Sequence, residues 1–128
     1  MSNDAIIHQA PLLASLEIFE KTSMKQLRHK SLLLTGYLEY LLDNMIGSEH
    51  IQIITPRNPA ERGAQISFRI TSPKFKDKNA PKEIEAALHA LGFGVEPRDD
   101  IVRISPAPLY NTFSEVRAIV VALRDILI

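Results

Sequence analysis

Arg103 is the side chain in this sequence with the clearest setting for chemistry. It lies in a short apolar run, directly before a segment whose backbone is stiffened by Pro106 and Pro108. Because side chains alternate across a strand, Arg103 points away from the core if Val102 and Ile104 point into it. A guanidinium at the end of such a strand suits bidentate binding of a carboxylate or a phosphate. The alternative is that Arg103 is solvated or pairs with one of three nearby acids: Glu96, Asp99 and Asp100.

The other residue types that catalyse reactions or bind metals occur in weaker patterns. The histidines are scattered without metal-ligand spacing, and solvated side chains explain them: His8, His29, His50 and His89. The acids at residues 99–100 are typical of a turn, and Glu83 and Glu85 of a helix first turn, so neither pair indicates acid–base catalysis. Residues 92–94 lack the third glycine of a dinucleotide-binding loop, and no serine lies in a glycine elbow.

The lysines lack the setting of a Schiff-base lysine, which requires apolar surroundings. They lie on polar helix faces or in one loop: Lys21, Lys25, Lys30, Lys74, Lys76, Lys78 and Lys82. Solubility explains them, so we expect this chain alone to bind no pyridoxal phosphate.

Composition excludes several classes of protein. The 128 residues are 45% hydrophobic and 23% charged, which predicts one folded domain rather than disorder. Fifteen basic and fifteen acidic residues cancel, so there is no electrostatic case for binding nucleic acid or an anionic membrane. The absence of cysteine excludes disulfides and thiolate metal sites. With no secretion signal and no apolar run that would span a bilayer, we expect a cytoplasmic protein.

Apolar spacing predicts two helices before the first strand. One begins near Pro11, which is tolerated in a first turn, and the other at Ser23, where Gln26 has capping-box spacing. We assign residues 1–22 to an N-terminal linking segment and helix, and residues 23–128 to a small α+β domain.

Four short strands and two further helices follow. The strands are predicted at residues 51–54, 65–70, 93–96 and 101–105. A helix begins near residue 79, and the last helix begins at Thr112, where Glu115 completes a capping box. The order αα, β, β, α, β, β, α predicts an α+β fold, a small and mostly antiparallel sheet with helices on one face, preceded by a long linking helix.

Four segments, in the same order along the chain, resemble kynureninases. The most specific is Val-Arg-Ile-Ser-Pro-Ala-Pro-Leu-Tyr-Asn-Thr-Phe at residues 102–113. The others are Ala-Ser-Leu-Glu-Ile-Phe at 14–19, Leu-Thr-Gly-Tyr-Leu-Glu-Tyr-Leu at 34–41, and Ile-Thr-Pro-Arg at 54–57, which continues through 61–63 to Gln65. Kynureninases are pyridoxal-phosphate enzymes of fold type I, and the matching region is their linking helix and small C-terminal domain.

The resemblance implies hydrolysis of the Cβ–Cγ bond of L-kynurenine to anthranilate and L-alanine, a step of tryptophan catabolism on the kynurenine pathway to NAD. It places Arg103 at the position that holds the α-carboxylate of the substrate. Asn3, preceded by Ser2, resembles a family asparagine near the substrate, although Asp4 and Ala5 replace the two prolines that follow it there.

The resemblance also implies partners for this chain. Pyridoxal 5'-phosphate and its lysine belong to the family's large domain, so the chain alone is not expected to be catalytically competent, and the full enzyme is expected to be a homodimer or other homo-oligomer. Arg57 and Arg62 match positions to which we give a structural, loop-bracing role.

Glu39 and Asp43 of the second helix are expected on its solvated face, opposite its apolar positions. The segment at 96–101 is a few residues shorter than the corresponding family loop.

Two alternatives stay open from the sequence. One is a free-standing α+β module that binds a small carboxylate or a protein partner without catalysis. A small domain separated from its enzyme would expose apolar surface around residues 5–7 and the Pro11 helix, whereas a module that evolved to stand alone would cover it. The other is the small domain of an aminotransferase or desulfurase, which the Pro-Ala-Pro-Leu-Tyr-Asn run disfavours.

Overall fold

The computed structural model describes residues 6–75 and 79–128, and it confirms the predicted α+β class and order of elements. The described residues form four α-helices, α1 (Ile6–Phe19), α2 (Met24–Leu41), α3 (Ala80–Ala90) and α4 (Phe113–Leu127). They also form four strands, β1 (Ile51–Ile53), β2 (Ile66–Ile70), β3 (Glu96–Arg98) and β4 (Ile101–Ile104). Among these helices, none combines the length and the hydropathy needed to cross a membrane.

Local hydrogen bonds begin α2 and α4 where the sequence predicts. At the start of α2, the Ser23 hydroxyl accepts a hydrogen bond from the amide three residues later at 3.2 Å. A π-helical turn, Leu42–Ile46, extends α2 to Gly47, whose φ of 83° suits the residue after a helix. At α4, Glu115 Oε2 accepts from Thr112 N at 2.6 Å and Thr112 Oγ1 accepts from Glu115 N at 3.2 Å, which is the predicted capping box.

The sheet has the strand order β1-β2-β4-β3, and every neighbouring pair is antiparallel. The position predicted for β3 is wrong, because the strand spans Glu96–Arg98 rather than residues 93–96. We expected Pro97 to end the strand. However, β3 lies at an edge of the sheet, and Pro97 pairs with Val102. On an edge strand, a proline whose backbone nitrogen points away from the neighbouring strand costs no ladder hydrogen bond. The β3–β4 turn contains Asp99 at a φ of 52°.

The helices cover one face of the sheet. Alternate strand positions point into the core: Ile51, Ile66, Phe68, Val102 and Ile104. Buried side chains of α2, α3 and α4 pack against them, among them Leu34, Leu38, Ile84, Leu88, Val120 and Leu123. The intervening positions lie on the opposite side, which we call the open face: Gln52, Ser67, Arg69, Glu96 and Arg103.

None of the α1 residues whose burial the structure describes belongs to this core. The helix begins earlier than predicted, at Ile6, so Pro11 lies inside the helix rather than in its first turn. There a proline removes a hydrogen-bond donor and its ring crowds the preceding turn. Several large apolar side chains of α1 are exposed: Ile7, Leu12, Leu13, Leu16, Ile18 and Phe19. This is the exposed apolar surface expected around the Pro11 helix. The division into residues 1–22 and 23–128 stays a prediction.

Candidate functional site

Arg103 lies between two neighbours on the open face. In the register of the sheet it is opposite Ser67 of β2 and Glu96 of β3. Because Val102 and Ile104 are buried in the core, the Arg103 side chain points away from it, as predicted. That side chain is 16% exposed. The guanidinium is therefore largely enclosed but still in contact with solvent.

Glu96 is the acid that pairs with Arg103. Its Oε1 forms an ion pair with Arg103 Nη2. The two partners differ in exposure, since the Glu96 side chain is 65% exposed. In the described part of the chain, the buried Nε of Arg103 has no hydrogen-bond partner. An exposed acid therefore contacts one nitrogen of the guanidinium while a second nitrogen lacks an acceptor, and a second carboxylate would satisfy it.

Asp100, another of the three acids considered as partners of Arg103, forms a separate ion pair with Arg69 on the open face. Asp100 Oδ2 accepts a hydrogen bond from Arg69 Nε at 2.5 Å, and Arg69 Nη1 donates to Gln52 Oε1 at 3.3 Å. The hydrogen bond from Arg69 holds the pKa of the Asp100 carboxyl below its usual value. Both partners are about half exposed, so this pair has the character of a surface salt bridge.

The segment after β4 is fixed by its own hydrogen bonds. Ala107 N donates to Asn111 Oδ1 at 2.7 Å, and Asn111 N donates to Ala107 O at 2.9 Å, while Pro106 is buried. The strand that carries Arg103 thus ends in an ordered turn, as the two prolines predicted. A cleft of about 240 Å³ borders this turn, but Arg103 is not among the residues that line it.

A second group of charges, which we call the loop cluster, consists of Glu39, Asp43, Arg57 and Arg62. It joins α2 to the loop between β1 and β2. Arg62 Nη2 donates to Glu39 Oε2 at 2.5 Å, and Arg57 Nη1 donates to Glu39 Oε1 at 2.8 Å. Arg57 also donates to both carboxylate oxygens of Asp43, at 2.6 and 3.0 Å. These contacts support the loop-bracing role predicted for the two arginines.

The sequence did not lead us to predict that Glu39 and Asp43 pair with the two arginines of the loop cluster. The prediction that Glu39 is solvated is wrong, because its side chain is only 15% exposed and the paired Arg62 side chain only 4%. The loop path brings both arginines onto α2. The available signal was the spacing of Glu39 and Asp43, since residues four apart share one helix face.

Hydrogen bonding determines the ionisation of the loop cluster. Burial disfavours the charge on Glu39, but the hydrogen bonds from Arg62 and Arg57 outweigh it and hold the pKa of the Glu39 carboxyl below its usual value. Hydrogen bonds to Asp43 and then to Glu39 raise the pKa of Arg57. Arg28 Nη2 also donates to the carbonyl oxygens of Pro59 and Arg62, at 2.7 and 3.0 Å.

The remaining candidate residues that the structure describes do not form a site. His29 and His89 are exposed, and His50 Nδ1 lies 3.4 Å from the Ser72 hydroxyl. Across residues 6–75 and 79–128, no group of three His, Asp or Glu side chains is arranged to hold a metal ion. Asn3 lies outside the described residues, so the structure says nothing of its predicted role.

Comparison with known proteins gives consistent matches. The family model of the kynureninase C-terminal domain matches residues 27–123. Kynureninase 1 of Emericella nidulans is 42% identical over 123 residues, covering 91% of this chain and 23% of the relative. Kynureninase 1 of Aspergillus fumigatus is 44% identical over 121 residues, with 91% and 23% covered. The kynureninase of Monosiga brevicollis is 42% identical over 135 residues, with 99% and 27% covered.

This chain spans about a quarter of the length of these relatives. The family match includes the whole sheet with Arg103, the loop cluster and most of α4. The chain therefore belongs to the family of kynureninase C-terminal domains.

Proposed function

We propose that this chain supplies the substrate-binding arginine of a kynureninase, which hydrolyses the Cβ–Cγ bond of L-kynurenine to anthranilate and L-alanine. In this proposal Arg103 binds the α-carboxylate of the amino acid. The observation that carries this proposal is the enclosed and incompletely hydrogen-bonded guanidinium of Arg103. Arg103 lies on a strand that ends in an ordered turn, it is mostly enclosed, and its buried Nε has no acceptor among the described residues.

A carboxylate is the ligand best suited to such an arginine. The guanidinium offers parallel N–H donors that match the two oxygens of a carboxylate, whereas a lysine would offer only a point charge. Because the Arg103 side chain is 16% exposed, few water molecules compete for those donors. Such a pair contributes a few kcal/mol of positioning, roughly enough to orient one end of a small substrate.

The described lysines do not fit pyridoxal 5'-phosphate. A Schiff-base lysine needs buried, apolar surroundings. In contrast, Lys21, Lys25, Lys74 and Lys82 are exposed and Lys30 is half-buried. We therefore assign no reaction step to these described lysines, and we propose that the remainder of the enzyme provides the cofactor and its lysine.

The apolar surface of α1 favours an enzyme domain over a free-standing module. Leu12, Leu16 and Phe19 share one side of the helix by their spacing, and they are 44–58% exposed. Exposed apolar surface of this kind marks a contact with another domain or protein. We propose that residues 1–22 link the domain, residues 23–128, to the cofactor-binding large domain of a cytoplasmic homo-oligomer. Asn3, close to that junction in sequence, is proposed to lie near the substrate.

The test is a chimera in which this chain replaces the matching segment of the Monosiga brevicollis kynureninase. We expect the chimera to release anthranilate from L-kynurenine, measured by anthranilate fluorescence. The 128-residue chain alone, with pyridoxal phosphate added, should release none. A folded chimera without activity would contradict the proposed function, and activity of the isolated chain would contradict the assignment of the cofactor site to the remainder of the enzyme.

A further inference from the structure

We propose that Glu96 is ion-paired with the Arg103 guanidinium in the ligand-free protein, and that the substrate's α-carboxylate displaces Glu96 when it binds. Glu96 then acts as an internal competitor that sets the affinity for the amino acid. Since it contacts Arg103 rather than the substrate, it is not a catalytic residue and acts only by competing for Arg103. This inference rests on the proposed role of Arg103.

The first argument is the unequal burial of the two partners. The Arg103 side chain is 16% exposed, so its charge requires an anion nearby. The Glu96 side chain is 65% exposed, so its carboxylate is largely hydrated already and loses little when it leaves the pair. A free carboxylate can therefore replace it without leaving a buried charge unpaired.

The second argument is that the pair is incomplete. Glu96 contacts Nη2, while the buried Nε has no acceptor in the part of the chain that the structure describes. A buried donor without a partner is unfavourable, and a carboxylate that binds two nitrogens of one guanidinium removes that cost. Once Glu96 leaves and the Arg103 side chain shifts to expose Nε, a bidentate ligand gains a contact that Glu96 does not make.

The third argument is the position of Glu96 in the sheet. It is the first residue of β3, an edge strand that pairs only with β4, so its side chain can move without disturbing the core. The neighbouring acid Asp100 is hydrogen-bonded to Arg69. Of these two acids, only Glu96 is placed to alternate with a ligand at Arg103.

The test follows acetate binding to the 128-residue chain by NMR, through the Nε–H signal of Arg103, with sodium chloride at equal ionic strength as the reference. Glu96→Gln keeps the size of the side chain and removes its charge. We expect this variant to bind acetate roughly threefold more tightly, or better, than the unmodified chain. Asp100→Asn is the matched control, because it removes the same charge from the same face without touching Arg103, and it should bind acetate like the unmodified chain.

The possible outcomes separate this inference from the proposed function. If acetate shifts the Arg103 signal equally in the unmodified chain and in Glu96→Gln, competition by Glu96 is wrong while the carboxylate role of Arg103 stands. If acetate shifts the signal in neither, both are wrong. In the active chimera, Glu96→Gln should lower KM for L-kynurenine and leave kcat unchanged. A raised KM would mean that Glu96 holds Arg103 in place, and would overturn the inference.

Discussion

Two mostly enclosed arginines of this domain, Arg62 and Arg103, differ in how completely they are paired. Arg62 is 4% exposed, donates to Glu39 at 2.5 Å and to the Pro56 carbonyl oxygen at 3.3 Å, and belongs to a cluster in which each acid has a partner. Arg103 is 16% exposed, has one exposed acid as its ion-pair partner, and has a buried Nε without an acceptor among the described residues.

Under the proposed function, the completeness of its hydrogen bonding, rather than its burial, distinguishes the structural Arg62 from the ligand-binding Arg103. Breaking a saturated buried pair leaves an uncompensated charge, which costs stability. An incompletely paired arginine contributes little to stability. It keeps a hydrogen-bond donor without an acceptor, and a ligand that supplies the acceptor binds more tightly for that reason. The loop cluster therefore fixes the loop between β1 and β2, whereas we propose that Arg103 is left available to bind substrate.

The sharpest stability test of this comparison replaces each arginine with methionine. We expect Arg62→Met to lower the free energy of unfolding by about 2–4 kcal/mol, because it leaves Glu39 half-paired and releases the loop. Arg103→Met should change the free energy of unfolding by less than about 1 kcal/mol, because its acid partner is exposed. Urea unfolding of both variants measures the difference. Equal losses would mean that Arg103 is as structural as Arg62.

Acidification should weaken the loop cluster by a smaller amount, which a Glu39 variant isolates from the other carboxyl groups. The pKa of Glu39 in the folded chain lies below its ordinary value of 4.5, so its contribution to stability is complete above that pH. The contribution is lost as the pH falls through the lower, folded-state pKa. We expect the unfolding free energies of the unmodified chain and Glu39→Gln, measured in urea, to converge as the pH falls below about 4.5. A constant gap across that range would contradict the role given to the Glu39 carboxylate.

Local signals sufficed for most of the fold. The capping residues Ser23 and Thr112 and the periodic apolar positions predict the element order, because these signals act within a few residues. The position of β3 could not be predicted in the same way. Whether Pro97 ends a strand depends on whether that strand lies at the edge of the sheet, which is a property of the whole sheet.

In the candidate site, too, local features could be predicted from the sequence and long-range contacts could not. The alternation of Val102, Arg103 and Ile104 predicts which way the arginine points, and the structure agrees. The choice among three candidate acids depends on strand register, which places Glu96 opposite Arg103. Likewise, Glu39 became buried only because the path of a loop brings two arginines onto it.

The most direct test of the central claim compares L-kynurenine with the amine that lacks its α-carboxylate, in the chimera with Arg103 and in its Arg103→Met variant. If Arg103 binds the carboxylate, removing that group should reduce kcat/KM roughly 100-fold in the chimera with Arg103, equivalent to about 3 kcal/mol. The same removal should have little further effect in the Arg103→Met variant, because the partner is already gone. An equal loss in both proteins would contradict the claim.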